Sequence, residues 1–275
     1  MSLFSLPIVA TFMLLGSTAG FLAGLLGIGG GVILVPLFLW AFPLAGVHAD
    51  VVAHLAFGTS LAIIIPTAIS STLMHRRHGN VNWHQVLWLT IGGVLGAFLG
   101  GTAASFLSGP WLKGLFGVML ITVAVRMFFT KPYLPPERET GVPRSHLWGV
   151  GLVGGTFSAF FGIGGGVVAV PLMVILLQMP AHLAVGNSSA LIVTSSLFGT
   201  LTYVVHGLGN PLVPPYSLGF VSAPVATLIA PLSIIFASLG VRVARRVDHG
   251  KLLRIFAFLL IIIGFRMALI LLLER

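Results

Sequence analysis

Gly27-Ile-Gly-Gly-Gly-Val-Ile-Leu-Val-Pro36 and Gly162-Ile-Gly-Gly-Gly-Val-Val-Ala-Val-Pro171 are two copies of one pattern, 135 residues apart. Both lie within apolar sequence. Consecutive glycines lose much backbone entropy in a helix and offer no side chain to pack, so the backbone is expected to open at both places. Open backbone at membrane depth is tolerated only where it is buried in protein or lines a cavity. Each motif is therefore a candidate binding element. The alternative is that the glycines only let helices approach closely.

The surrounding sequence sets the class. Of 275 residues, 57% are hydrophobic and 7% are charged, and the mean hydropathy is +1.10. Soluble domains carry about 25% charged residues, so the chain reads as an all-α polytopic membrane protein. In that setting the 14 Lys and Arg against 5 Asp and Glu are topology signals and imply no nucleic-acid partner. The absence of cysteine excludes disulfides, thiolate metal sites and a Cys nucleophile. Met1-Ser-Leu-Phe4 lacks the basic start of a cleaved signal peptide and reads as the beginning of a membrane segment.

Apolar segments fall at 3–26, 32–42, 51–74, 86–107 and 111–130, and again at 147–161, 167–179, 182–205, 217–240 and 255–273. The long polar stretch 131–146 separates an N-terminal repeat, 1–130, from a C-terminal one, 147–275. Further matches support duplication. His54-Leu-Ala-Phe-Gly-Thr-Ser60 aligns with His182-Leu-Ala-Val-Gly-Asn-Ser188, and Thr72-Leu-Met-His-Arg-Arg-His-Gly79 with Thr200-Leu-Thr-Tyr-Val-Val-His-Gly207, both at an offset of 128. Arg126-Met127 aligns with Arg266-Met267. Collinear self-similarity of this kind marks an internal repeat.

Charge gives the orientation. Arg76 and Arg77 place the loop at 75–84 in the cytoplasm, whereas the equivalent loop at 206–216 has no Lys or Arg. Arg242, Arg245, Arg246, Lys251 and Arg254 load the loop before the last segment, whose counterpart holds only Lys113. The loading is reversed between halves, as inverted repeats require. Both termini are then expected outside, with a cytoplasmic linker at 131–146. Trp40, Trp83, Trp88, Trp111 and Trp148 lie near segment ends, as interfacial tryptophans do.

Segments 32–42 and 167–179 are too short to cross the bilayer comfortably. They are read as the second arms of hairpins, either re-entrant or spanning, whose glycine tips lie near mid-membrane. A helix N-terminus carries unpaired N–H groups and about half a positive charge. Two such ends facing one cavity suit an anion. The candidate site is Gly29, Gly30, Gly31, Gly164, Gly165 and Gly166, with Thr59, Ser60, Asn187 and Ser188 as hydrogen-bonding wall residues. Ordinary helical bonding of these hydroxyls is the alternative. Arg126 and Arg266 are further candidates as intramembrane cations, with snorkelling as the competing role. Intramembrane carboxylates are scarce, which leaves His54, His182 and Asp50 as proton-coupling candidates. Asp50 is also placed to cap a helix. His75, His78 and His84 lack a carboxylate or thiol beside them, so neither metal nor cofactor is expected.

Gly24-Leu-Leu-Gly-Ile-Gly-Gly-Gly-Val-Ile-Leu-Val-Pro36, Gly58-Thr-Ser-Leu61, His75-x-x-His-Gly-Asn-Val-Asn-Trp83, the second glycine–proline motif, Ser217-Leu-Gly-Phe220 and Arg242-Val-Ala-Arg-Arg246 resemble the TauE/SafE (sulfite exporter) family of membrane permeases. The resemblance covers nearly the whole chain. It implies transport of sulfite, organosulfonates or related sulfur anions across a prokaryotic cytoplasmic membrane. The function expected is thus a secondary transporter of a small anion working by alternating access. An anion channel and a permease for a non-sulfur organic anion are the alternatives. No nucleophile–base set or metal-ligand set lies within the segments, which argues against an intramembrane enzyme.

Overall fold

The computed structural model describes residues 6–26, 30–129, 142–244 and 249–273. The first half holds α1 (Leu6–Leu26), α2 (Gly31–Leu44), α3 (Ala49–Arg77), α4 (Trp83–Ser105) and α5 (Gly109–Phe129). The second holds α6 (Arg144–Phe161), α7 (Gly166–Pro171), α8 (Ala181–Gly207), α9 (Ala223–Ala244) and α10 (His249–Leu273). The chain is an all-α polytopic membrane protein, and six of these helices are long and apolar enough to cross a bilayer. The short helices stay short: α2 has 14 residues and α7 has 6, against about 20 needed to span.

Local chemistry sets several ends. Asn82 caps α4, its side-chain oxygen accepting from the His84 and Gln85 amides at 3.1 and 3.3 Å. Pro171 lacks an N–H, and from Leu172 to Leu176 the helix widens into a π turn. Two boundaries depart from the sequence expectation. α9 runs to Ala244 and α10 starts at His249, so Arg242, Lys251 and Arg254, expected in a loop, lie within helices. Residues 217–222 do not begin a helix; Ser217–Leu218 (β1) and Val221–Ser222 (β2) form a small antiparallel hairpin, and α9 starts at Ala223. Gly219, at φ +54°, is the first residue of its two-residue turn, where a positive φ fits the strand twist.

Helix directions follow from which residues meet. Phe12 of α1 packs on Phe38 and Phe42 of α2, so the two form a hairpin. In α3 and α8, Gly58 meets Tyr203, Leu61 meets Gly199, and Thr72 bonds Ser189, so these helices are antiparallel. Elsewhere helices run parallel. Gly16, Gly20 and Gly24 of α1 face Ile229, Ser233 and Ala237 of α9 in step. Gly92, Gly96 and Gly100 of α4 face Trp148, Leu152 and Thr156 of α6 in the same sense.

These parallel contacts are backbone on backbone. A Cβ built on Gly92, Gly96 or Gly100 would overlap a carbonyl oxygen of α6, and one on Gly151 or Gly155 a carbonyl of α4. Apolar lipid gives helices no hydrophobic reason to associate, so close packing through small residues supplies the attraction. The larger core cluster lies around α2, α3 and α5, where Phe38, Phe42, Phe57 and Phe116 are fully buried.

This makes a direct prediction about α6. Gly151→Val should force α4 and α6 apart and lower stability by about 1–3 kcal/mol or more, as overpacked cores do. Gly149→Ala, on the same helix with no atom within 4 Å of the added methyl, should be neutral or mildly stabilising. Thermal unfolding of the two purified variants in one detergent checks the contrast.

Candidate functional site

The second glycine motif is where elements from both halves converge. Gly162 ends α6 in the left-handed region (φ +69°), and the Ile163 amide returns to the Ser158 carbonyl at 3.2 Å. Gly164 and Gly165 follow at φ +82° and +79°. Three left-handed residues in four explain why this stretch is glycine. α7 then starts at Gly166 and α2 at Gly31, and neither has a side-chain cap. The first amides of each helix precede its first intrahelical bond.

The two motifs touch. Gly31 packs so closely on the Ile163 backbone that any Cβ there would overlap it. The contact lies midway along the central helices: Gly164 sits against Ile64 and Ile192, near the centres of α3 and α8. Gly165 lies against Gly154 and Ser158 of α6, and Gly166 against Ile192 and Ser188 of α8. Gly30 has more room, its nearest neighbours being Leu34 and Ala23. Gly29 lies outside the described residues.

Around this contact stand buried hydroxyls. Ser60 and Ser188, which align in sequence at an offset of 128, are 0% and 1% exposed, and neither Oγ has a hydrogen-bond partner among the described residues. Ser60 falls between Phe57 and Ile64, the two α3 residues that meet the second motif. Ser195 donates to Ser158 at 3.1 Å, and both are fully buried. Sequence reasoning passed over this pair because the position equivalent to Ser158 is Ala23, so no repeat match drew attention to it. The signal was available: Ser158 is four residues before Gly162 and shares its helical face.

The other candidates are placed differently. Thr59 accepts from the Ser222 amide at 2.9 Å. Asn187 accepts from the Asn82 amide at 2.8 Å and donates to Gln85 at 2.8 Å. Arg126 and Arg266 are exposed along α5 and α10, whereas the glycine motif meets α2, α3, α6 and α8. His54 is buried, stacks on Phe220 with ring centroids 4.9 Å apart, and faces backbone groups of Asp50, Ala104 and Leu107. Its repeat partner His182 is exposed. Asp50 is exposed in the first turn of α3, 3.4 Å from His48. Among the described residues no group of metal-ligating side chains converges.

The arrangement offers amide and hydroxyl donors, in a low-dielectric setting, with no adjacent carboxylate among the described residues. That combination binds anions by hydrogen bonding.

Comparison with known proteins bears on what the site serves. The model of the family described as sulfite exporter TauE/SafE matches residues 12–267. A probable membrane transporter protein of Haemophilus influenzae is 31% identical over 255 residues, which cover 93% of this chain and 96% of that relative. A probable membrane transporter protein of Methanocaldococcus jannaschii is 29% identical, covering 96% and 97%. One from Bacillus subtilis is 27% identical, covering 92% and 94%.

The glycines differ as test positions. Ala at Gly31, Gly164 or Gly165 meets backbone or a positive φ and should lower stability on steric grounds alone. Gly30 has helical torsions (φ −67°, ψ −28°) and free space, so Gly30→Ala should keep or slightly raise stability. If an anion approaches this helix start, the same variant should bind it about tenfold more weakly, the cost of one weakened charge-assisted bond. Melting temperature and anion affinity on one preparation separate packing from binding.

Proposed function

The chain belongs to the sulfite exporter TauE/SafE family, and from that membership we propose that this membrane transporter carries a small anion, sulfite or an organosulfonate, by alternating access around the paired glycine motifs. The observation that carries the proposal is the contact of Gly31 with Ile163 midway along the central helices, with unpartnered Ser60 on the α3 stretch that meets this motif and unpartnered Ser188 farther along α8, beside Gly166. Two uncapped helix starts and two free hydroxyls supply donors that leave no net charge behind when the anion departs. A site built on cationic side chains would hold the anion too tightly or strand a buried charge after release.

Inverted repeats make alternating access available, because each half can adopt the other's conformation. Supporting this reading, α1 runs parallel to α9 and α4 parallel to α6. Direction alternates from α1 to α4, so α9 lies opposite to its repeat partner α4. The setting proposed is a prokaryotic cytoplasmic membrane, with both termini outside and the 131–146 linker inside. Cysteines introduced at Arg77 and Leu212 into this cysteine-free chain should react with an impermeant maleimide from opposite faces. Labelling of both from one face would refute the inverted arrangement.

The transport reading is tested in proteoliposomes. Sulfite or sulfonate uptake should saturate and be accelerated by the same anion on the other side. Flux that stays linear and is not trans-stimulated would identify a channel, and transport of carboxylates alone would remove sulfur anions as substrates. Ser60 and Ser188 lie about 20 Å apart along α3 and α8, so one of Ser60→Ala and Ser188→Ala, and not both, should weaken binding about ten- to a hundredfold, for a lost charge-assisted bond of about 1.5–3 kcal/mol. Stability should hold or rise, because each removes a buried hydroxyl with no partner. Unchanged affinity in both variants would move the site elsewhere.

A further inference from the structure

Thr59 and Asn187 are equivalent residues doing equivalent work across the two halves. Thr59, in the first half, accepts the Ser222 amide at 2.9 Å; Asn187, in the second, accepts the Asn82 amide at 2.8 Å. The preceding glycines match as well: Gly58 packs on the Phe220 carbonyl and Gly186 on the Asn80 carbonyl. Thr59 and Asn187 are 128 residues apart, whereas their partners Ser222 and Asn82 are 140 apart, the offset that also relates Arg126 to Arg266. Each contact thus joins a central helix of one half to the segment entering α4 or α9 of the other.

The two contacts lie at opposite ends of the α3–α8 pair. One is near the start of α3 and the end of α8, the other near the end of α3 and the start of α8. At 1.5 Å per residue they are about 20 Å apart along the helices, with Gly164, Gly165 and the Ser158–Ser195 pair between them. Each is thin. A single side chain holds one backbone amide, buried at Ser222 and partly buried at Asn82, and the glycine allows the loop backbone to seat directly on the helix. His54 adds a ring stack on Phe220 at the first; Gln85 adds a bond to Asn187 at the second. A backbone amide that loses its side-chain acceptor must find another partner or reach water, so each contact has a closed state and a wetted open state.

We infer that the Thr59–Ser222 and Asn187–Asn82 contacts are the two gates of the transport cycle, one sealing each side of the central site. This rests on the alternating-access reading above. Because each gate spans both halves, moving one half against the other breaks one contact while the second holds.

The test reads accessibility and needs no substrate. Ser195→Cys, fully buried beside the second glycine motif, is the reporter in a chain with no other cysteine. Its labelling by an impermeant maleimide is followed from each face of oriented vesicles. Thr59→Val should raise the labelling rate at least fivefold from the side of the α8–α9 hairpin only. Asn187→Leu should do so from the side of the α3–α4 loop only. Thr59→Ser, which keeps the accepting oxygen, should restore the low rate. If Thr59→Val does not fold, Phe220→Leu loosens the same hairpin and should give the same one-sided rise. Unchanged labelling, or a rise from both faces with either variant, would overturn the gates. Failure of the flux assay with gating intact would instead refute the anion-transport reading.

Discussion

The structure depends on carbonyl groups lying where side chains would otherwise stand. Along α4 and α6, glycines on each helix bring the two backbones into contact, and α1 and α9 repeat the arrangement. In lipid, burying apolar surface against another helix gains nothing over burying it in acyl chains. What holds this protein together is therefore dispersion at short range and weak Cα–H···O contacts, both of which fall off steeply with distance. That explains why glycine recurs every fourth residue in these helices, and why their partners lie in the opposite half. The halves are joined by the contacts that form the helices' closest approaches.

The same freedom serves a second purpose at the motif tips. Gly162, Gly164 and Gly165 hold positive φ angles that let the chain turn and start a new helix within a few residues. Gly31 permits the first motif to rest on that turn. Donors accumulate there because two helices begin there, and no ionisable side chain among the described neighbours competes with them. On the proposed anion reading, a dipolar site of this kind would bind with limited affinity, which suits release of the cargo.

Much of this was legible in the sequence. The doubled motif located the convergence point, and the helices fall within a few residues of the apolar segments, because hydropathy and proline positions are local signals. What escaped was long-range. Thr59 and Asn187 look like wall residues in one dimension; their partners are 163 and 105 residues away, and only the fold reveals them. The Ser158–Ser195 pair has no repeat counterpart to flag it. The residues 217–222 read as apolar helix because a two-residue strand pair has too short a pattern to distinguish. Arg126 and Arg266 show the converse: they align between the halves, yet both are exposed, and alignment says nothing of which way a helix face turns.

The parallel pairing of α1 with α9 also governs how the chain is made. Gly16, Gly20 and Gly24 present a bare groove whose partner residues, Ile229 to Ala237, are synthesised more than 200 residues later. At about 5–20 residues per second that interval is roughly 10–40 s. The groove of α1 thus waits long for α9, and for that time it is lined by lipid or by the insertion machinery. A bilayer that solvated the groove too well would compete with α9 for it, so the protein's assembly is tied to the lipids in which it is born.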